Sequence, residues 1–177
     1  ANKLMGRFLY GLKKKADYAV ISLAGGQKDN AITRECITEF LTDAPEEVKA
    51  YAKELQEQIR EEYTGSDENI TIEVKENGVG TAQVLHPTSQ EKIVFYLQNV
   101  PFGIQKMSGT IKGLVESSSN IGILRLDEDE LFASSSVRSS VDAACSAISD
   151  KIEYLTEFLG GDYEVQGAYP AWEYRKD

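Results

Sequence analysis
The chain has 177 residues, enough for one domain or two small lobes sharing a sheet, and 41% of them are hydrophobic, enough for an ordinary core. A net charge of −10 argues against a nucleic-acid partner, because phosphate binding requires a basic stripe. No apolar run reaches the roughly 18 residues a membrane helix needs, and Cys36 and Cys145 are too few and too far apart for a disulfide framework or a zinc cluster. A reducing, cytoplasmic home without membrane contact is the expectation.

Helical spacing begins at once, with Leu4, Met5, Phe8, Leu9 and Leu12 on one face of a helix over 2–15. Lys13, Lys14 and Lys15 follow at its negative end, where cations are favoured. Strands are predicted over 17–24, ending at Gly25-Gly26, and over 30–41. Thr42 or Asp43 is placed to cap a helix over 44–63 whose apolar stripe includes Val48, Ala52, Leu55 and Ile59. Alternation in Ile70-Thr71-Ile72-Glu73-Val74 predicts a strand over 69–76, and 77–87 has no clear assignment.

The second half repeats this order. A helix is predicted over 88–99, a strand over 112–126 interrupted near Ser117–Ser119, and a strand over 130–138. Ser139 or Ser140 is placed to cap a helix over 141–159, which Gly160-Gly161 stops before a final strand over 162–168. Helix, strand, strand, helix, strand thus occurs twice. The expectation is an α+β fold of two tandem plait-like units, with a mainly antiparallel sheet and helices on one face. The units divide as a first lobe over 1–86 and a second over 87–177. Both ends look abrupt, Ala1 opening directly on a helix and Trp172–Asp177 stopping in a polar stretch, so a piece of a longer protein is expected.

Catalytic chemistry is scarce. His86 is the only histidine, and it precedes Pro87 at a helix start, which suits a capping role. The acidic turn Asp127–Glu130 lacks the spacing and glycine of a calcium loop. Serines at 117–119, 134–136 and 139–140 have neither a base nor a G-x-S-x-G elbow, and Gly25-Gly26 lacks the lysine of a phosphate loop. Two polar residues stand out instead. Asn30 lies in GGQKDNAITRE and Arg138 in FASSSVRSS, each beside a strand end. Asn is common at turns for backbone reasons, and Asp142 is a candidate structural partner for Arg138. A cation beside a helix start nevertheless invites an anionic ligand.

These motifs resemble one family. ANKLMGRFLYGLKKK and GGQKDNAITRE, followed in order by GLVESSSNIGILRL, SVRSSVDAA and GAYPAWEY, are similar to the lid region of aminoacyl-histidine (Xaa-His, or cytosol nonspecific) dipeptidases. Those enzymes are di-zinc metallopeptidases related to carnosinase. The resemblance implies a longer enzyme whose catalytic domain, absent here, holds two zinc ions, while this chain is its lid, closing over a dipeptide and mediating dimerisation. The chain itself would hold no metal or cofactor and would not be catalytic. The resemblance further implies that Asn30 and Arg138 reach the substrate, Arg138 holding the terminal carboxylate and Asn30 donating to a peptide or tetrahedral oxygen. Thr33 stands where the family often has Pro, an exchange expected to loosen that turn. The family's substrate-contacting histidine lies in a GGHSG segment this chain lacks, and His86 is not its equivalent. The rival reading is a regulatory module binding an amino acid between tandem ACT-like units.

Overall fold
The computed structural model describes residues 1–128 and 130–167. Nine elements follow in order: α1 (Asn2–Leu12), β1 (Ala19–Gly25), β2 (Cys36–Leu41), α2 (Pro45–Glu62), α3 (Pro87–Asn99), β3 (Gly103–Met107), β4 (Val115–Leu126), β5 (Leu131–Ser139) and α4 (Asp142–Phe158). The fold is α+β, four helices on one face of a five-stranded antiparallel sheet, as expected from the sequence.

The sheet is organised by β4. Along one edge it pairs with β5 over nearly its whole length, from Ser117↔Ser139 to Leu126↔Leu131. Its other edge is shared. Its first half pairs with β3, and Leu124 and Arg125 near its end pair with Gly25 and Ala24 of β1. β1 pairs in turn with β2. Beyond the short β1–β4 contact, the edge of β1 is filled by other groups: Leu85 N donates to Val20 O, and Val20 N donates to Gln90 Oε1. The backbone donor and acceptor of Val20 are thereby satisfied without a further strand.

Two apolar clusters lie under the sheet. Phe8, Leu9 and Leu12 of α1 meet Val48, Ala52, Leu55 and Ile59 of α2, with Val94 of α3. Leu23, Leu97, Val100, Ile121 and Leu124 meet Ile148 and Ile152 of α4 in the second. Close approach of α1 and α3 depends on Gly6, where a Cβ would sit 2.5 Å from that of Leu97.

Several local expectations are corrected. The second strand begins at Cys36, so residues 30–35 form a loop and Asn30 sits in a turn within it. Segment 69–76 joins no ladder. It runs beside α2, where Arg60 Nε donates to Ile70 O (2.7 Å) and Ile72 N donates to Gln56 Oε1 (2.7 Å). Helix side chains thus replace a strand partner, while Ile70 and Ile72 pack on the first cluster. β4 is not interrupted at its serines, because β3 and β5 flank them. β3 itself was not anticipated. Residues 162–167 are likewise not a strand, and the GAYPAWEY motif lies, apart from Gly167, outside the described residues. His86 is the N-cap of α3, its Nδ1 accepting from Thr88 N.

Candidate functional site
The faces of the sheet follow from its register. Residues directly opposite in an antiparallel pair share a face, and alternate residues along a strand share it too. Ile121, Leu124, Leu131, Ala133 and Val137 pack on the helix-side cluster. Ser118 and Asn120 of β4, with their partners Arg138 and Ser136 of β5, therefore belong to the opposite, helix-free face. Arg138 is exposed there. Among the described residues no acid lies within ion-pairing distance of its guanidinium. Glu116, two residues along β4 from Ser118, is already matched by Lys106 (Nζ–Oε1 3.3 Å).

The loop carrying Asn30 crosses the same strand. Gly26 turns the chain with φ 81°, the left-handed region that suits glycine. The following segment passes so close over β4 that a Cβ on Gly122 would lie 2.4 Å from Lys28 O and 2.3 Å from Asp29 O. Asn120 Nδ2 donates to Ala31 O at 2.8 Å. Asn30 is thus held between a backbone crossing at Gly122 and a side-chain tether at Asn120, exposed at the loop's tip.

Beneath the loop lies a buried anchor. Thr33 Oγ1 is 3.1 Å from both Ile121 O and Gly122 O. Asn2 Nδ2, on a side chain only 1% exposed, lies 3.3 Å from Thr33 Oγ1, 3.3 Å from Gly25 O and 3.0 Å from Ile121 O. Two amide hydrogens therefore serve three acceptors on three segments. The expectation that Thr33 loosens this turn is corrected: its hydroxyl ties the loop to β4, a link proline has no group to make. Gly25 leaves the room this needs, since a Cβ there would meet Asn2 Oδ1 at 1.9 Å.

Asn2 and Asn120 were not singled out from the sequence, and Thr33 was noted there only as a replacement for proline, not as an anchor. Only Asn2 left a trace, because it shares the helical stripe of Gly6 and Leu9 and so sits on the buried face of α1. The other two acquire their roles through contacts 88 and 89 residues apart in sequence.

No three His, Cys, Asp or Glu side chains among the described residues stand close enough together to hold a metal ion, so these residues do not fit a zinc site. Cys36 is a free thiol whose pKa is pushed up to about 12 by burial, which leaves it a poor nucleophile. Cys145 is a free thiol too, and half-buried. None of the described helices is long and apolar enough to cross a membrane.

No family model matches the chain. It is 27% identical over 175 residues to the cytosol non-specific dipeptidase of Escherichia coli (strain K12), an alignment that takes in 98% of this chain and 36% of that protein. Its fold is similar to that of the crystal structure of aminoacylhistidine dipeptidase from Vibrio alginolyticus, with a TM-score of 0.90 and 28% identity over 98% of this chain and 36% of that one. In sequence and in fold alike, then, the chain is similar along nearly its whole length to a part of the aminoacyl-histidine dipeptidases.

Proposed function
We propose that this chain is the substrate-clamping lid of a longer, cytoplasmic, zinc-dependent dipeptidase, its two lobes over 1–86 and 87–177 forming one inserted unit. What supports the reading is a single conjunction. A chain aligned over 98% of its length with 36% of a cytosol non-specific dipeptidase carries an exposed arginine and an asparagine-bearing loop on the one sheet face its helices leave open. Zinc, with the catalytic chemistry it supplies, belongs in this reading to residues outside the chain.

The lid's own part is binding and orientation. Arg138 meets the free carboxylate of the dipeptide, for which a planar guanidinium offers two parallel donors. The Asn30 amide donates to the carbonyl oxygen of the cleaved bond, where negative charge develops. Closing the open sheet face over the substrate excludes water and fixes these geometries. Self-association is part of the same reading. Tyr154 and Phe158, 73% and 76% exposed on α4, offer apolar contact to a second copy, and sedimentation of the chain tests this.

Kinetics of the longer enzyme test the assignment. Arg138→Ala is expected to lower kcat/KM on dipeptides by about 30-fold or more, the scale of a lost charge-assisted contact. Unchanged kinetics would remove the role given to Arg138. The 177-residue chain alone is expected to hydrolyse nothing, and metal-dependent turnover by the purified chain would contradict the division of labour.

A further inference from the structure
We propose that Asn120 is a positioning residue that sets the spacing between Asn30 and Arg138, and with it the length of peptide the open face accepts. The proposal rests on the reading of those two residues as substrate contacts.

Asn120 is the residue that links them. Its Nδ2 is bonded to the carbonyl of Ala31, the residue after Asn30. Along β4 it stands two residues from Ser118, which lies directly opposite Arg138. That separation is about 7 Å along the strand, at roughly 3.4 Å per residue, with the neighbouring strand about 4.8 Å away. An extended peptide advances about 3.3–3.6 Å per residue. One residue beyond the cleaved bond therefore suits this spacing once side-chain reach is included, and a second would overrun it.

The other supports of the loop fix different coordinates. The crossing at Gly122 sets how closely Lys28 and Asp29 lie over the sheet. Thr33 and Asn2 bind the loop's return to the main chain of β1 and β4. Between these two points, Asn120 supplies the side-chain tether next to Asn30, and it is only half-buried. Its loss is thus expected to shift Asn30 without unfolding the sheet.

The test compares Asn120→Ala and Asn120→Asp in the longer enzyme, using a dipeptide and the tripeptide made by adding one residue at its C-terminus. Asn120→Asp keeps the shape but turns an acceptor toward Ala31 O. Both variants are expected to lose about tenfold in kcat/KM on the dipeptide, the scale of one hydrogen bond. The ratio of dipeptide to tripeptide activity is expected to fall in both, with Asp at least as affected as Ala. Asn120→Ser, a smaller change to the fold, is measured alongside and should fall between wild type and Ala.

An unchanged ratio in all three variants, with Asn30→Ala and Arg138→Ala still impaired, overturns the positioning role while leaving the clamp standing. If Asn30→Ala and Arg138→Ala are themselves without effect, the clamp fails and this inference fails with it.

Discussion

A single missing methyl group at position 122 shapes the loop that carries Asn30. The carbonyls of Lys28 and Asp29 occupy the space a Cβ would take there, so Gly122→Ala must push the loop off β4 or bend the strand. Overpacking of this kind costs about 1–3 kcal/mol. For a chain of this size the melting temperature should fall by roughly 2–4 °C per kcal/mol, readable by circular dichroism. An unshifted melting curve would mean that the loop lies higher over the sheet than described. Thr33→Val tests the anchor at the same scale. It keeps the shape but leaves Gly122 O without its hydroxyl partner and removes one acceptor from Asn2. The expected loss is about 1–3 kcal/mol, the cost of buried polar groups left unpaired. Thr33→Ser, which retains the hydroxyl, should recover most of it.

The elements differ in how plainly the sequence announces them. All four helices were legible because each buries a stripe at helical spacing, and that pattern is local. β3 was not, since only Gly103 of its five residues is even partly buried and no alternation results. In β4 the run Ser117–Ser119 read as a break, yet Ser117 and Ser119 are buried between two flanking strands whose ladders hold them extended. Segment 69–76 shows the converse. Its alternation is real and buries Ile70 and Ile72, but the backbone partners are side chains of α2. Gln56→Ala should therefore speed hydrogen exchange of the Ile72 amide and leave the β4–β5 amides unchanged. Equal protection in both proteins would imply a ladder partner instead. At the site, Asn30 and Arg138 stood out as polar residues beside strand ends and took their proposed roles from the motif resemblance, while the groups that hold the Asn30 loop became visible only once it lay across β4.

Across the whole molecule, burial of weak acids predicts a stability limit at alkaline pH. Burial pushes Cys36 up from 9.0 to about 12, and it is also the main cause raising Tyr18 from 10.0 to about 12 and Tyr51 and Tyr96 above their usual value. The unfolded chain gives up these protons at lower pH than the folded one. Their contribution is thus complete below about pH 9 and is lost as pH climbs toward 12. The melting temperature should decline through that window, less steeply in Cys36→Ala, and a flat profile would contradict the burial described. The proposed function at this scale comes down to whether the helix-free sheet face meets a substrate, and through which group. The most direct measurement pairs Arg138→Ala with a change in the ligand: kcat/KM of the longer enzyme for a dipeptide and for the same dipeptide with its C-terminal carboxylate made an amide. If Arg138 holds that carboxylate, the wild-type enzyme strongly prefers the acid and Arg138→Ala loses most of the preference, because each change removes the same contact. A preference for the acid that survives intact in Arg138→Ala would contradict the account.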